Sequence, residues 1–400
     1  MEKKRVERML VIPLGILIFM CLGTIYSWSV FRKPLEKLFN VGATQSGIPY
    51  TLFLASYALT MPFAGKFIKK IEPRLLIIVG GIIVGLAWVI SGFAGNIELL
   101  SLTYGIFGGI GVGIVYGVPM AVVAKWFPKK KGLTVGLTLA GFGLSPFVTA
   151  PIASFLIDNY GVLSAFKIIG VVFIILITLL SLPLKFPDEK EHAEKKTNNI
   201  ELDFSIKDII KTKQFWGLVT TYTIGTLAGL MAIGISSPFG QEVIKMSSEK
   251  AAIYVSLFAI FNGIGRPIFG TLTDKFGGKK TAIISYIIII TASVIGLTLG
   301  AGKEFLYFIV FAMFWLVLGG WLAIAPTVTS NIFGAKHYAE NYGVIFLSYG
   351  LGALTGGVIS GVIRDKLGTY EYVFYPVIVL GIIGIIIAIK TLDKIKIEVK

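Results

Sequence analysis

Apolar segments long enough to cross a membrane occupy most of this 400-residue chain. A helix rises about 1.5 Å per residue, so about 20 apolar residues cover the ~30 Å hydrocarbon core of a bilayer. By that measure the sequence predicts twelve spans. They cover residues 10–31, 48–68, 74–95, 99–124, 132–157, 162–183, 215–240, 251–273, 279–300, 304–333, 340–363 and 372–390. Such a chain is predicted to be an all-α integral membrane protein, because helices satisfy their own backbone hydrogen bonds in lipid.

The composition excludes several other classes of protein. Only 15% of the residues are charged, whereas soluble domains have about 25%. The net charge of +15 therefore indicates basic loops at the cytoplasmic face of a bilayer rather than a surface that binds nucleic acid. The single cysteine, Cys21, lies in an apolar segment, and His192 and His337 lie in polar loops. We therefore expect no disulfide, no metal site and no cofactor.

Lysine and arginine in the short connections predict the orientation, because such residues are enriched on the cytoplasmic side. They precede the first span and occupy alternate connections: Lys3, Lys4, Arg5, Arg8, Lys66, Lys69, Lys70, Arg74, Lys125, Lys129, Lys130, Lys131, Lys275, Lys279 and Lys280. The loop after the first span is the exception, since it is predicted to face outwards and contains Arg32, Lys33 and Lys37. We expect a multi-pass protein of the cytoplasmic membrane with both termini in the cytoplasm.

The two halves of the chain are related by an internal repeat with an offset of about 205 residues. The pairs are Pro62-Phe-Ala-Gly65 with Pro267-Ile-Phe-Gly270, Phe142-Gly143 with Tyr349-Gly350, and Asp158-Asn-Tyr-Gly161 with Asp365-Lys-Leu-Gly368. Six spans in each half preserve the orientation of the repeat, which is typical of transporters with a site near the bilayer midplane. The sequence predicts a six-helix bundle over residues 1–183, a cytoplasmic linker over 184–214 and a second six-helix bundle over 215–400.

The loop after the eighth span resembles the signature of the major facilitator superfamily, G-x-x-x-D-x-x-G-R-K. It reads Gly270-Thr-Leu-Thr-Asp274-Lys-Phe-Gly277-Gly-Lys279-Lys280. The first-half copy begins at Gly65 and ends at Arg74, but it has Lys69 where the family has Asp. This resemblance implies two pseudo-symmetric bundles of six helices each, with alternating access to a site between them.

Further segments resemble the oxalate/formate antiporter family and its monocarboxylate-carrier relatives. They are Gly23-Thr-Ile-Tyr-Ser-Trp-Ser-Val-Phe31, Lys125-Trp-Phe-Pro-Lys-Lys-Lys-Gly132, Ala140-Gly-Phe-Gly143 and Asn341-Tyr-Gly343. The resemblance extends over nearly the whole chain and implies a carrier of small organic anions. In that family an Arg in the eighth helix binds the substrate carboxylate, and Asn262-Gly-Ile-Gly-Arg266 matches that segment.

The residues themselves give an independent reason to place the substrate at Arg266. It precedes Asp274 by eight residues, or about 12 Å of helix, so it lies deep in the span, whereas its repeat mate is the apolar Met61. A charge at that depth faces a cavity or a partner, and no Asp or Glu lies well inside any predicted span. A guanidinium binds a carboxylate with two parallel hydrogen bonds. Asn262, one turn earlier, is predicted either to bind a substrate oxygen or to join two helices.

The resemblance also bears on the substrate's charge. The family's oxalate carrier has a Lys in the eleventh helix for the second carboxylate, and Tyr349 occupies that position here. One buried cation favours a monocarboxylate such as lactate, pyruvate, glycolate or formate. Tyr116, Trp28, Trp321 and Tyr349 are candidates to line the cavity, although each residue type is also common in helix packing and interfacial belts.

Three functions remain open from the sequence, and the first is preferred. They are a monocarboxylate carrier, another facilitator-type carrier such as an oxalate/formate exchanger, and a membrane sensor or channel. An enzyme is not expected, because no nucleophile–base pair, metal cluster or phosphate loop is recognisable. The relatives' membrane-buried Asp is replaced by Asn262, so proton symport and anion exchange both remain possible. We expect a monomer whose partners are the small anion and the lipid.

Overall fold

The computed structural model describes residues 2–68, 70–187, 204–334 and 336–393, without the side chains of residues 2–7, 129 and 131. These residues form helices, turns and loops and no strand. The first half contains α1 (Glu2–Leu22), α2 (Trp28–Phe39), α3 (Ala43–Phe67), α4 (Pro73–Ser91), α5 (Ile97–Leu100), α6 (Gly109–Trp126), α7 (Lys131–Tyr160) and α8 (Val162–Ser181). A 3-10 segment, Gly23–Ser27, joins α1 to α2, and a π-helical segment, Ser101–Gly108, joins α5 to α6.

The second half repeats this plan. It contains α9 (Ile206–Ile209), α10 (Lys213–Glu242), α11 (Ser248–Phe276), α12 (Gly278–Gly296), α13 (Glu304–Phe333), α14 (Tyr338–Ile345), α15 (Leu347–Leu367) and α16 (Phe374–Thr391). The eleventh predicted span is divided into α14 and α15 at Phe346. The start of α1 and the end of α16 lie on one face of the bundle, here called the inner face, and the opposite face is called the outer face.

Eleven helical segments of the described residues are long and apolar enough to cross a membrane. They correspond to all the predicted spans except the second. The second predicted span is α3, whose 25 residues are long enough, but its most apolar 18-residue stretch has a lower mean hydropathy than those of the other eleven. Tyr50, Thr51 and Tyr57 of α3 are buried, so this helix directs polar side chains into the protein rather than towards lipid.

Close backbone approach explains why glycine is frequent in these helices. Gly80 and Gly85 of α4 face Gly111 of α6 and Gly170 of α8, respectively. A Cβ atom on Gly85 would lie 2.8 Å from the Gly170 carbonyl oxygen, and one on Gly111 would lie 2.9 Å from the Gly80 carbonyl oxygen. Small residues let membrane helices pack this closely, and here they hold α4 between its two neighbours.

Three helix pairs make most of the contacts between the halves: α3 with α15, α7 with α11, and α2 with α10. The first two pairs take equivalent positions in the predicted repeat. Gly161 and Gly368, the glycines of the Asp-x-x-Gly repeat, end α7 and α15 with φ of +80° and +76°. This left-handed conformation favours glycine and ends a helix sharply, which explains why the motif recurs.

Most of the predicted linker, residues 188–203, lies outside the described residues. Its end contacts the second half, because the Phe204 amide donates to the Phe333 carbonyl oxygen (3.2 Å) and Asn341 Nδ2 donates to the Phe204 carbonyl oxygen (2.8 Å). Ser205 then caps α9. Its amide and hydroxyl donate to Asp208 Oδ2, and these hydrogen bonds lower the pKa of the Asp208 carboxyl.

Candidate functional site

Arg266 lies in the middle of α11, at the level where the two halves meet. The preceding Gly265 brings α11 against α13, since a Cβ atom there would lie 2.2 Å from the Leu316 carbonyl oxygen. Arg266 is only 6% exposed, and none of its three guanidinium nitrogens has a hydrogen-bond partner among the described residues. A buried guanidinium without partners is costly, so this position favours an anion.

Tyrosine hydroxyl groups of both halves lie in the neighbourhood of this cation. Arg266 interacts electrostatically with the hydroxyls of Tyr26, in the 3-10 segment, and Tyr222, on α10. The Tyr26 and Tyr349 hydroxyls are hydrogen-bonded to each other at 2.7 Å. Trp321 Nε1 is buried without a partner in the described part of the chain, and the Tyr222 hydroxyl lies next to that of Tyr342. The region therefore offers a cation and further polar donors between the halves.

Aromatic rings line the same region from both sides. Tyr116 of α6 packs edge-on against Phe142 at 5.5 Å between ring centroids, and it stacks with Phe346 of the other half at 6.3 Å. Phe346 in turn stacks on Tyr349 at 5.0 Å, and Tyr57 contacts both of these C-terminal-half rings. Such a wall excludes water and strengthens electrostatic attraction between Arg266 and a bound anion.

Asn262 joins two helices. It is fully buried, and its Nδ2 donates to the Trp315 carbonyl oxygen of α13 at 3.2 Å. Its Oδ1 faces Gly143 of α7, where a Cβ atom would lie 2.4 Å away, and this oxygen has no hydrogen-bond partner. Of the two predicted roles, the amide nitrogen performs the one that joins two helices. The amide oxygen makes no hydrogen bond among the described residues.

The predicted tryptophans occupy two different places. Trp321 stacks on Tyr222 at 6.0 Å and fills the space over Gly225, so it supports the wall near Arg266. Trp28 instead packs in the first half against Tyr104 at 4.7 Å, and its Nε1 donates to the Ser46 carbonyl oxygen at 3.1 Å. The structure thus gathers Arg266, Tyr349, Tyr116, Asn262 and Trp321 around one region, whereas Trp28 lies with a group nearer the outer face.

The prediction that Arg32 lies in an outward loop is wrong. Helix α2 continues to Phe39, and Arg32 is only 2% exposed. Its Nε donates to Ser46 Oγ (3.1 Å), and its terminal nitrogens donate to the carbonyl oxygens of Gly234 (3.1 Å) and Ala43 (2.5 Å). These acceptors solvate the guanidinium, which is why the helix tolerates it beyond the apolar segment. Unlike Arg266, Arg32 donates from each of its three nitrogens to a protein acceptor.

Acidic side chains accompany Arg32 near the outer face. Glu36 lies 3.9 Å from the Arg32 guanidinium and 3.2 Å from Lys33, which also pairs with Glu242 of the other half. Glu242 further binds Arg364 at 3.1 Å. Glu36 and Glu242 lie at helix ends beyond the predicted spans, as expected, but packing between the halves makes their side chains only 10% and 17% exposed.

The residues of the superfamily signature lie at the inner face, away from Arg266. Gly277 ends α11 with φ of +81°. A Cβ atom on Gly270 would lie 3.8 Å from Ala323 Cβ, whereas one on Gly65 would meet no described atom within 4 Å. Asp274 and Lys280 are exposed, and Lys279 pairs with Asp393 at 3.1 Å. In the first-half copy Arg74 pairs with Glu72 at 2.8 Å, while Lys69 lies outside the described residues.

Sequence reasoning did not select Tyr26 and Tyr222 as site residues. Tyr26 was within reach, because it belongs to the segment Gly23–Phe31 that resembles the antiporter family. Tyr222 gave no such signal, since a tyrosine near the end of an apolar span is also typical of an interfacial belt. Only the packing of α10 beside α11 brings its hydroxyl to Arg266.

Known proteins share both the sequence pattern and the fold. Residues 13–330 match the family model of the Major Facilitator Superfamily. The oxalate:formate antiporter of Oxalobacter formigenes is 31% identical over 355 residues, which cover 88% of this chain and 84% of that protein. Monocarboxylate transporter 12 of Xenopus laevis is 26% identical, over 86% of this chain and 80% of that protein.

Solved structures of a bacterial homologue of the human lysosomal transporter Spinster have the same fold. The inward-facing, unoccupied form has a TM-score of 0.74 at 18% identity, over 96% of this chain and 95% of that one. The inward-facing, occupied form has a TM-score of 0.75 at 17% identity, over 96% of each chain. The relatives named for a function are transporters, not enzymes. The chain is therefore a multi-pass membrane transporter that belongs to the major facilitator superfamily.

Proposed function

We propose that this transporter carries small monocarboxylates, of the lactate, pyruvate, glycolate or formate type, by alternating access. The observation that carries the proposal is Arg266, whose three guanidinium nitrogens are buried and have no hydrogen-bond partner in the described part of the chain. A carboxylate supplies the missing charge and accepts two parallel hydrogen bonds from the guanidinium. The hydroxyls of Tyr26 and Tyr222 are further donors for the substrate's oxygens.

The preference for one carboxylate follows from the number of free cations. Arg32 is also buried, but Ser46 and two backbone carbonyl groups occupy its nitrogens. Tyr349, in the position that a second cation takes in the resembled oxalate carrier, is neutral and bonded to Tyr26. A second carboxylate would therefore be buried without a partner, which costs several kcal/mol.

The proposal extends to orientation and coupling. Basic connections at the inner face support cytoplasmic termini in a cytoplasmic membrane.

Asn262 cannot titrate, and no carboxylate pairs with Arg266 among the described residues. An empty site would carry the buried charge of Arg266 uncompensated through the conformational change, whereas a bound carboxylate neutralises it. The loaded carrier then reorients more readily, which favours exchange of one anion for another.

A second candidate is exchange of a dicarboxylate for a monocarboxylate. It is favoured by the 31% identity to a protein named as an oxalate:formate antiporter. A binding screen of the purified protein against lactate, formate, oxalate and malonate distinguishes the two functions. Tightest binding of a monocarboxylate supports the proposal, and tightest binding of oxalate supports the second candidate. If no carboxylate bound, both would be excluded.

A further inference from the structure

The first turn of α3 is capped by a residue of the other half. Its N-cap position is Gly42, which has no side chain to accept hydrogen bonds from the first amides of the helix. Asp365, at the outer end of α15, supplies the acceptors instead. Its Oδ1 accepts from the Ala43 amide and its Oδ2 from the Thr44 amide, both at 2.8 Å. A carboxylate at this position also interacts favourably with the positive end of the helix dipole.

The equivalent contact is missing from the other half of the repeat. Asp158, the repeat mate of Asp365, is exposed at the end of α7 and accepts only from Ser154 of its own helix, at 3.3 Å. The neighbouring helix α11 is capped by its own Ser247, whose Oγ accepts from the Lys250 amide at 3.2 Å. Two pseudo-symmetric helix pairs thus meet at the outer face, and only one is joined by a carboxylate across the halves.

The contacts between the halves are concentrated on this outer side. Beyond the Tyr26–Tyr349 bond, hydrogen bonds from Arg32 and Tyr50 and the Lys33–Glu242 pair join α2 and α3 to α10. Towards the inner face α7 separates from the other half, whereas α3 still meets α14 there. A Cβ atom on Gly143 of α7 would lie 2.4 Å from Asn262 Oδ1, but one on Gly136, two turns nearer the inner face on the same side of α7, would meet no described atom within 4 Å. Between α3 and α14, a Cβ atom on Gly343 would lie 3.3 Å from Pro62 Cβ.

We propose that Asp365 and the first turn of α3 form the latch that holds the outer side closed, and that Asp158 has no such role. The inference rests on the proposed alternating access, because a latch matters only if the outer side opens. Opening leaves the Ala43 and Thr44 amides without the acceptor, and Gly42 cannot replace it. Loss of the latch therefore shifts the population towards the outward-open state.

Accessibility of two single cysteines tests the latch without any substrate. Cys21 is first replaced by Ala. Ser360→Cys then reports on the outer side, because Ser360 lines a small closed cavity with Arg32 and is 1% exposed. Gly136→Cys reports on the inner side. The rate of labelling by a membrane-impermeant maleimide is measured from each face of reconstituted vesicles for the latch variant Asp365→Ala and its matched control Asp158→Ala.

Gly42→Ala breaks the latch without changing any charge. A Cβ atom at Gly42 would lie 2.9 Å from both carboxylate oxygens of Asp365, so the carboxylate must move away. We expect Asp365→Ala and Gly42→Ala to raise outer labelling of Ser360→Cys on the order of tenfold, the effect of losing hydrogen bonds to a charged group. Inner labelling of Gly136→Cys should fall in the same variants, and Asp158→Ala should change neither rate.

Three outcomes would overturn the latch. They are unchanged outer labelling in Asp365→Ala, an equal increase in Asp158→Ala, or an increase at both reporters, which indicates general loosening rather than a shift between states. None of these outcomes bears on the proposed function, which the binding screen tests separately. Conversely, if the protein bound no carboxylate but showed the reciprocal change in labelling, the latch would stand and only the proposed substrate would be wrong.

Discussion

The hydroxyl groups of Tyr26 and Tyr349 lie 2.7 Å apart and join the two halves of the transporter in the region of Arg266. Tyr26 belongs to the 3-10 segment that interrupts the first span, and Tyr349 lies in the first turn of α15, just after the break at Phe346. Each hydroxyl finds this partner only while the halves are in contact at this level. The bond thus links the region around Arg266 to the arrangement in which the two halves are in contact.

The contributions of these two hydroxyls to the free energy of unfolding should depend on each other. Tyr26→Phe or Tyr349→Phe leaves the other hydroxyl buried alone, whereas the double variant removes both. We expect the double variant to be less destabilised than the sum of the single ones, with a coupling of about 0.6 kcal/mol and at most about 1.7 kcal/mol. The measurement is the free energy of unfolding in mixed micelles. Strictly additive effects would show that the two hydroxyls do not interact.

The two buried arginines should respond in opposite ways to substitution by alanine. Arg266→Ala should abolish carboxylate binding and leave thermal stability unchanged or raised, because its guanidinium has no protein partner to lose. Arg32→Ala should lower stability by about 1–3 kcal/mol, because it leaves buried acceptors such as the Gly234 carbonyl group without a donor. Calorimetric binding and thermal unfolding of both variants provide the comparison. Normal binding by a folded Arg266→Ala protein would refute the site.

Arg266→Lys should keep the positive charge at this position and lose the planar hydrogen-bonding geometry of the guanidinium. An ammonium is a point donor and lacks the planar fork that grips both carboxylate oxygens. We expect the dissociation constant for lactate to rise on the order of tenfold or more, since breaking a buried, hydrogen-bonded charge pair costs at least about 2 kcal/mol. Isothermal titration with lactate measures this change. An unchanged constant would mean that charge alone, and not the guanidinium geometry, binds the substrate.

The number of buried cations without a partner should determine whether the protein prefers monocarboxylates or dicarboxylates. In competition assays lactate and formate should displace a labelled monocarboxylate far better than oxalate or malonate do. Tyr349→Lys should shift this preference towards dicarboxylates, and Tyr349→Phe is the matched control that removes the hydroxyl without adding a charge. If oxalate competes best in the unmodified protein, a second cation must reach the site.

Exchange should be faster than net uptake. In liposomes preloaded with unlabelled monocarboxylate, labelled substrate should enter faster than in empty liposomes, because the carboxylate neutralises Arg266 during reorientation. Initial rates with and without internal substrate, at equal pH on both sides, measure the difference. Equal rates, with uptake driven fully by a pH gradient, would mean that the empty carrier returns easily and that the charge argument is wrong.

The amino-acid sequence alone was sufficient for the fold class, and it predicted that Arg266 is a buried charge without a carboxylate partner. Spans about 20 residues long are recognisable without tertiary information, because hydrocarbon thickness dictates their length and apolarity. Arg266 was recognisable for the same reason, since a charge deep in an apolar helix needs a compensating partner wherever the neighbouring helices lie. The repeat likewise predicted that Asp158 and Asp365 take equivalent positions.

Only the tertiary structure decided which polar groups are already satisfied. Arg32 and Arg266 are both buried arginines, but each nitrogen of the first donates to a protein acceptor, including the Gly234 carbonyl group far away in sequence, whereas no nitrogen of the second has a partner among the described residues. Asp158 and Asp365 are equivalent in the repeat, yet only Asp365 meets a helix terminus that lacks its own cap. Hydrogen bonding depends on distances of a few ångströms between helices, and the pattern along one helix contains no such distance.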